Sequence, residues 1–308
     1  MKVLSLFNGI SCGMLALERA GIFVSEYVSY EIDKYANQIT AKNYPKIKQH
    51  GDVIGADFTK YKGFDIVMGG FPCQDLSIAK REREGLEGKR SRLFWELVRA
   101  IHEVQPKYFL VENNYGMPKD AQRVITETLG VAPIMINSAL VSAQTRKRLY
   151  WTNIPNVTQP TDKNIILKDI LESEIGAADK AYCITASYKT GVSLPHVLVR
   201  HARTFITQPI RIGQIGNGGM AQRIYSVSGK SVALKGNGGG QGANTGLYKI
   251  NLPDGDYVIR KLTPIECERL QTLPDNFTEG ISNTQRYKTI GNGWTADVIA
   301  HILSHIPH

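Results

Sequence analysis

Cysteine is scarce in this 308-residue chain, and its four copies, Cys12, Cys73, Cys183 and Cys267, stand far apart with no C-x-x-C pair. A zinc site draws its ligands from close clusters, so this spacing predicts no metal. A disulfide framework is not expected either in a chain this long without a secretion signal. Long apolar runs are also missing. Nothing approaches the roughly 20 residues of a membrane helix, and in the opening stretch MKVLSLFNGI the polar Asn8 and Gly9 interrupt the only candidate for a leader. No membrane association is expected, and a cytoplasmic protein is. Acid is absent from one segment. Between Lys180 and Ile250 there is no Asp or Glu, while nine cations occur: Lys180, Lys189, Arg200, Arg203, Arg211, Arg223, Lys230, Lys235 and Lys249. The net charge of +9 therefore resides in that segment. A basic surface can be merely solvating, but an acid-free run of this length fits a polyanionic partner better.

What is present alternates short apolar runs with helical patterns. Lys2–Phe7 reads as a buried strand, followed by a glycine loop and a helix from Met14 to near Gly21. Val24–Tyr30, Asp65–Met68, Tyr108–Val111, Ile134–Ile136 and Leu149–Trp151 read as further strands, with a helix over Leu93–Val104. Strand and helix alternating in this way predict a doubly wound α/β domain with a largely parallel sheet. Asn153–Asn164, with two prolines, reads as a boundary. Beyond it lie twelve glycines between Lys180 and Ile250, including GNGG (216–219) and GNGGGQG (236–242), with short strands expected at Arg223–Val227 and Ser231–Leu234. A small, irregular, β-rich basic domain fits that composition. Helical pattern returns after Val258, and Ala296–Ser304 is expected to be the last helix, its His301, His305 and His308 marking a solvated end.

The chemistry-bearing residues fall at strand ends. Gly9 and Gly13 in LSLFNGISCGM allow close backbone approach where parallel sheets bind nucleotide-like ligands. Glu31 ends the next strand, where a carboxylate can accept ribose hydroxyls, and Asp52 in HGDV is placed to meet an adenine. The absence of a full G-x-G-x-x-G argues against a nicotinamide dinucleotide. In GGFPCQDLS (69–77) the strand FDIVM delivers Cys73 to a loop, beside the restricting Pro72. A structural cysteine is more at home within an apolar run, whereas a loop thiol can act as a nucleophile. Glu112 in VENN follows another strand and suits proton handling. In QTRKR, Arg146 and Arg148 share a face if the segment is extended, and either guanidinium can hold a carbonyl, a carboxylate or a phosphate.

Together and in this order, these segments resemble the cytosine-C5 DNA methyltransferase family. LFNGISCGM is similar to its first cofactor motif, PCQ to its nucleophile motif, Glu112 to the acid of E-N-V, and Gln144, Arg146 and Arg148 to Q-x-R-x-R. LTPIECERLQTLPDNF (262–277) resembles T-P-x-E-x-x-R-L-Q, and IGNGW (290–294) the closing G-N motif. CQDLSI, EGKRSRLFWE (87–96), VSAQTRKRLYW (141–151) and Trp294 resemble the catalytic domain of de novo-type methyltransferases. The chain departs from the family pattern at Asn114, at Ser11 and Cys12, and at Gly293 and Trp294.

The resemblance implies a Rossmann-like S-adenosylmethionine-dependent domain built from residues 1–160 and 261–308, with a target recognition domain at 161–260. It implies methylation of carbon 5 of a flipped-out cytosine in duplex DNA through a Cys73 adduct. Glu112 would manage the ring nitrogen and Arg146 would orient the base, with Arg148 completing the catalytic set. S-adenosylmethionine, leaving as S-adenosylhomocysteine, would be held by Phe7, Asn8, Gly9, Ile10, Glu31, Ile32, Asp52, Val53, Gly70, Pro72, Leu93, Asn292, Gly293 and Trp294. The loop Ala79–Arg92, with six cations against three Glu, would close over DNA. Expected DNA contacts are Gln74, Ser77, Lys80, Arg81, Arg83, Lys89, Arg90, Gln144, Arg211, Arg223, Lys230 and Lys235. A monomer of bacterial or phage origin is expected, with a cognate restriction endonuclease as a conceivable partner. The rivals are a tRNA cytosine methyltransferase of the same family and a non-catalytic DNA-binding homologue; the intact Cys73, Glu112 and Arg146 speak against the latter. An adenine amino-methyltransferase is disfavoured because no D/N-P-P-Y/F motif occurs.

Overall fold

The computed structural model describes residues 1–71, 93–172, 209, 211–215, 222–234, 247–251 and 257–307. The apolar run at the N-terminus forms β1 (Lys2–Leu6), in which Val3, Leu4 and Leu6 are fully buried. Its edges pair with β2 (Glu26–Tyr30) and β4 (Ile66–Gly70), both parallel to it, and helices cover both of its faces. β3 (Lys48–His50) extends the β2 side. On the other side come β5 (Tyr108–Asn114), then the antiparallel β7 (Lys147–Thr152), with β6 (Ile134–Asn137) outermost. The order is β3-β2-β1-β4-β5-β7-β6. The chain starts mid-sheet, runs out to one edge and crosses back to β4. That reversal between β1 and β4 opens a crevice at the strand C-termini, where ligands of doubly wound folds bind.

Side chains of successive strand residues alternate between faces, and the two cores follow that period. Leu4, Leu6, Val67, Phe109 and Val111 join one core with α3 (Leu93–Val104) and α4 (Lys119–Leu129). Val3, Ile66, Met68, Tyr108 and Leu110 join the other with α1 (Cys12–Arg19). Between β2 and β3 runs α2 (Lys34–Asn43), capped by the Asp33 carboxylate on the amides of Tyr35 and Ala36. After the second sheet the chain makes α5 (Pro264–Leu270), α6 (Asn283–Asn292) and α7 (Ala296–Leu303). The last helix puts Val298, Ile299, Ile302 and Leu303 into the second core, against residues of β1, β4 and β5.

The basic segment contains a separate four-stranded sheet, β11-β10-β9-β8, formed by β8 (Arg211–Gln214), β9 (Arg223–Ser226), β10 (Leu247–Asn251) and β11 (Tyr257–Arg260). Ser231–Leu234 is not one of its strands; Ser231 makes an isolated bridge to Gln144 instead. The core of this sheet holds Tyr225, Leu234, Tyr248 and Ile250 together with Ala143, Leu167, Leu262, Cys267, Leu270 and Ile290. Residues on both sides of the segment therefore share its apolar cluster. α5 follows a complete capping box: Thr263 and Glu266 satisfy each other's backbone amides, and Pro264 occupies the first turn. The fully buried Glu268 accepts from the amides of Asn276 (2.7 Å) and Thr278 (2.8 Å), from the Thr278 hydroxyl and from Arg286 Nη2 (2.9 Å). This buried ion pair pins the turn between α5 and α6.

Candidate active site

The loop leaving β1 is held in an unusual backbone. Phe7, Gly9 and Ser11 all have left-handed φ (55°, 56° and 62°). For Phe and Ser such conformations cost about 1–3 kcal/mol each and persist where surrounding contacts enforce them. Those contacts are present. Asn8 donates its amide to Tyr30 O (3.1 Å) and its side chain to Ser11 Oγ (2.7 Å), and it accepts from Tyr27 Oη (3.0 Å). Gly9 N donates to Glu31 Oε2 and Asp33 N to Glu31 Oε1, each at 2.8 Å. The amides of Asn8, Gly9 and Ser11 are thus all engaged by the surrounding structure, which holds the loop in shape. Ile10 itself is fully buried. Next to Glu31, Ile32 is 73% exposed at the end of β2, and Ile54 is 65% exposed beyond β3. Asp52 accepts from Ile54 N (3.0 Å), a turn that buries Val53 and leaves Ile54 outside. Ile54 is absent from the sequence-based expectation, which names Asp52 and Val53.

β4 ends at Gly70, and what stands beside it explains the glycine. A Cβ there would lie 2.7 Å from Glu112 Oε2 and 2.8 Å from Trp294 Nε1. Glu112 projects from β5, paired across the ladder with Tyr150, whose hydroxyl is pushed well up by burial and then by the Glu112 charge. Arg148 Nε meets Glu112 Oε1 at 2.9 Å, and Trp294 Nε1 donates to Oε2 at 3.1 Å. The Glu112 and Arg148 side chains are only 12% and 16% exposed. One residue on, the buried Asn113 donates to Phe71 O (3.3 Å), tethering the start of the segment that carries Cys73. Cys73 lies outside the described residues, as do Pro72, Gln74, Ser77, Lys80, Arg81, Arg83, Lys89, Arg90 and Lys235. Asn114 accepts from Gly116 N (3.1 Å) and shapes the turn after β5.

Arg146 and Arg148 take different partners. Arg146 precedes β7 and is 4% exposed, with its guanidinium on the carbonyls of Leu234 (3.1 Å), Gly291 (3.2 Å) and Gly293 (3.1 Å). The structure thus puts Arg148, not Arg146, beside Glu112. Gln144 and Lys230, expected on the DNA face, are interior. Gln144 is fully buried, donating to Leu270 O (3.1 Å) and accepting from Leu234 N (3.0 Å). Lys230 is 2% exposed, with its ammonium on the carbonyls of Ala139 (2.9 Å), Ser142 (3.0 Å) and Ile165. Loop carbonyls buried at this junction need donors, and these three side chains supply them. Arg211 is exposed on β8, Arg223 and Leu93 are half-buried, and Asn292 is exposed at the end of α6. Gly293 packs against Cys12, where a Cβ would come within 3.2 Å of Sγ. Cys12 and Cys267 are buried free thiols, and burial pushes Cys12 up to about 11.

The family model for C-5 cytosine-specific DNA methylases matches residues 1–308. The chain belongs to this family. It is a DNA (cytosine-5-)-methyltransferase, and the α/β sheet with its small second sheet is the methyltransferase fold expected from the sequence. The type II methyltransferase M.HhaI of Haemophilus parahaemolyticus is 30% identical over 329 aligned positions, covering 99% of this chain and 94% of that protein. The orphan methyltransferase M.SPRI of Bacillus phage SPR is 25% identical, covering 100% and 98%. Among solved structures, the Entamoeba histolytica methyltransferase EhMeth superposes with a TM-score of 0.71 at 17% identity, covering 99% of this chain and 97% of that one. The S. pombe Dnmt2 methyltransferase superposes at 0.65 and 14% identity, covering 99% and 97%. Among the described residues of this methyltransferase no helix is long and apolar enough to cross a membrane, and no cluster of His, Cys, Asp or Glu is arranged to hold a metal ion.

Proposed function

We propose that this methyltransferase moves a methyl group from S-adenosylmethionine to carbon 5 of a cytosine extruded from duplex DNA, through a covalent adduct with Cys73. One observation supports it most directly. A nearly buried carboxylate, Glu112, is held at both oxygens by Arg148 and Trp294, against the last glycine of the strand that leads to Cys73.

The β1 loop and its neighbours fit the cofactor. Exposed Ile32 and Ile54 stand on adjacent strand ends and offer apolar faces to a flat ring. Both Glu31 oxygens accept one backbone amide each, leaving lone pairs for ribose hydroxyls. The loop of residues 7–10 is assigned to the amino-acid end of the ligand, Asp52 and Val53 to the base, and Gly70, Pro72, Leu93, Asn292, Gly293 and Trp294 to the remaining walls. When bound, S-adenosylmethionine supplies an electrophilic methyl group and leaves as S-adenosylhomocysteine.

Carbon 5 of cytosine is a poor nucleophile. In this reading the Cys73 thiolate adds to carbon 6, and the ring π pair moves so that carbon 5 becomes enamine-like. Glu112 holds the proton at the ring nitrogen during addition and recovers it on elimination. Arg148 keeps that carboxylate in place, while Arg146 acts from behind by fixing the Gly291–Gly293 backbone. After methyl transfer a base, water in this scheme, removes the carbon-5 proton and the thiolate leaves. Extruding the base costs about a few kcal/mol. The cations of residues 79–92, with Gln74 and Ser77, together with Arg211, Arg223 and Lys235, would offset that cost through DNA contacts. Residues 161–260 serve as the target recognition domain of a monomer, and the bacterial and phage sources of the relatives support a DNA-associated, cytoplasmic enzyme, with a cognate endonuclease as a conceivable companion.

Duplex DNA carrying 5-fluorocytosine tests the reading, because fluorine at carbon 5 cannot leave as a proton. The wild-type protein should form an adduct stable to denaturing electrophoresis, and Cys73→Ser should not. An adduct with the serine protein would assign the wrong nucleophile, and unmethylated host DNA by bisulfite sequencing would count against the activity.

A further inference from the structure

We infer that Trp294 is a positioning residue for Glu112, acting through its indole N–H, beyond any wall its ring provides to the cofactor. The inference rests on the proposed role of Glu112 as the proton-handling group.

Trp294 touches all three working parts of the site. Its ring edge stands 3.5 Å from the position a Cβ would take on Gly13, in the first turn of α1 where the β1 loop ends. Its nitrogen stands over Gly70, at the mouth of the Cys73 segment, and donates to Glu112 Oε2. The approach to Gly70 is the tight one: a Cβ there would fall 2.8 Å from the indole nitrogen, so that strand end could not carry a side chain without moving the indole. The indole is itself anchored from behind. Gly293, the preceding residue, gives its carbonyl to Arg146 (3.1 Å) and to Gln271 Nε2 (3.2 Å). Following Trp294, the Thr295 hydroxyl donates to Gln271 Oε1 (2.8 Å) and bonds Ser138 Oγ (2.9 Å). The backbone on both sides of Trp294 is thus fixed by buried polar groups, which sets the direction of its N–H.

The consequence for Glu112 is orientational. A carboxylate on a two-carbon stem can rotate about its last bond, and one partner leaves that rotation loose. Arg148 on Oε1 and Trp294 on Oε2 lock the plane of the group, leaving the second lone pair of each oxygen for a substrate. The indole thereby sets where the acid points. Among the described residues, the charged and titratable groups near the carboxylate are Arg148 and Tyr150 from β7, with Arg146 beyond them. The phenylalanine ring keeps the face of the indole but has no donor.

The experiment measures Trp294→Phe, Glu112→Gln and the double variant in single-turnover methylation of duplex DNA, with S-adenosylmethionine and DNA affinities measured separately. The inference expects Trp294→Phe to slow the methyl-transfer step about tenfold or more, with both affinities within about threefold. In the Glu112→Gln background, Trp294→Phe should have little further effect, because both changes act on one group. Full additivity in the double variant, or a loss confined to cofactor affinity, overturns the inference and leaves the function standing. Unimpaired catalysis by Glu112→Gln overturns the role proposed for Glu112 itself.

Discussion

Two adjacent glycines at the end of β4 face opposite surroundings, and exchanging each for alanine separates catalysis from stability. A Cβ on Gly69 would fall 2.8 Å from Leu6 O and 2.8 Å from Leu97 Cδ1, inside the core shared by β1 and α3. A Cβ on Gly70 would fall 2.7 Å from Glu112 Oε2 and 2.8 Å from Trp294 Nε1. Ordinary carbon contacts begin near 3.5 Å, so each substitution demands a shift of roughly 0.7 Å. For Gly69 the obstacle includes the backbone of β1, which cannot give without disturbing the sheet. The expected cost is that of overpacking, about 1–3 kcal/mol. For Gly70 the obstacles are two side-chain ends, which can separate cheaply in stability but at the expense of the acid's position. Misplacement near 1 Å can slow a reaction about 100-fold. Gly70→Ala should therefore lower the single-turnover methylation rate by one to two orders of magnitude, in line with that figure, with a urea midpoint near wild type. Gly69→Ala should show a lowered midpoint and near-normal rates in the folded fraction. Equal loss of stability in both, or a Gly70→Ala enzyme within about threefold of wild type, would refute the reading of the Glu112–Trp294 contact.

The ring-facing role proposed for Ile54 predicts that Ile54→Ala weakens S-adenosylmethionine binding about tenfold by calorimetry. That is the lower end of burying such a side chain, and the exposed position predicts an unchanged melting temperature. Arg286→Met leaves the fully buried Glu268 without its cation, and breaking such a pair costs about 3–5 kcal/mol; equilibrium unfolding should show it, with little change in the far-ultraviolet spectrum of any protein that folds. Cys12 supplies a pH test. Its thiol rises from an ordinary value of 9.0 to about 11 because burial disfavours the thiolate. A group whose folded value is raised contributes stability that is full below its unfolded value and is lost as pH climbs through the folded one. Denaturation midpoints should fall between pH 9 and about 11, less steeply in Cys12→Ala, and Cys12 should resist alkylation at pH 8 until urea unfolds the chain.

The sequence discloses the elements whose environment is uniform along their length. β1, β4 and β5 are buried on both faces, so apolar runs betray them, and the functional loops follow at their ends. α2 is nearly invisible because only Ala36, Ile39 and Thr40 of KYANQITAKN are buried, too few to mark a period. The arginines of QTRKR show a different limit. Alternate spacing relates two side chains to each other without naming the partner of either. The Arg146 guanidinium turns to the carbonyls of Leu234, Gly291 and Gly293, supplied by segments distant in sequence, while Arg148 meets Glu112. Gln144 and Lys230 follow the same logic, since a polar residue type reveals a capacity to bond without revealing whether water or a buried carbonyl will be the partner. Ile54 is hidden by the Asp52 turn, which reverses which of two neighbouring aliphatics faces out. In each case the missing information is the location of an unsatisfied backbone group or an open strand end elsewhere in the chain. The order of motifs identifies the reaction class, and tertiary contacts decide which arginine stands at the acid and which supports it from the interior.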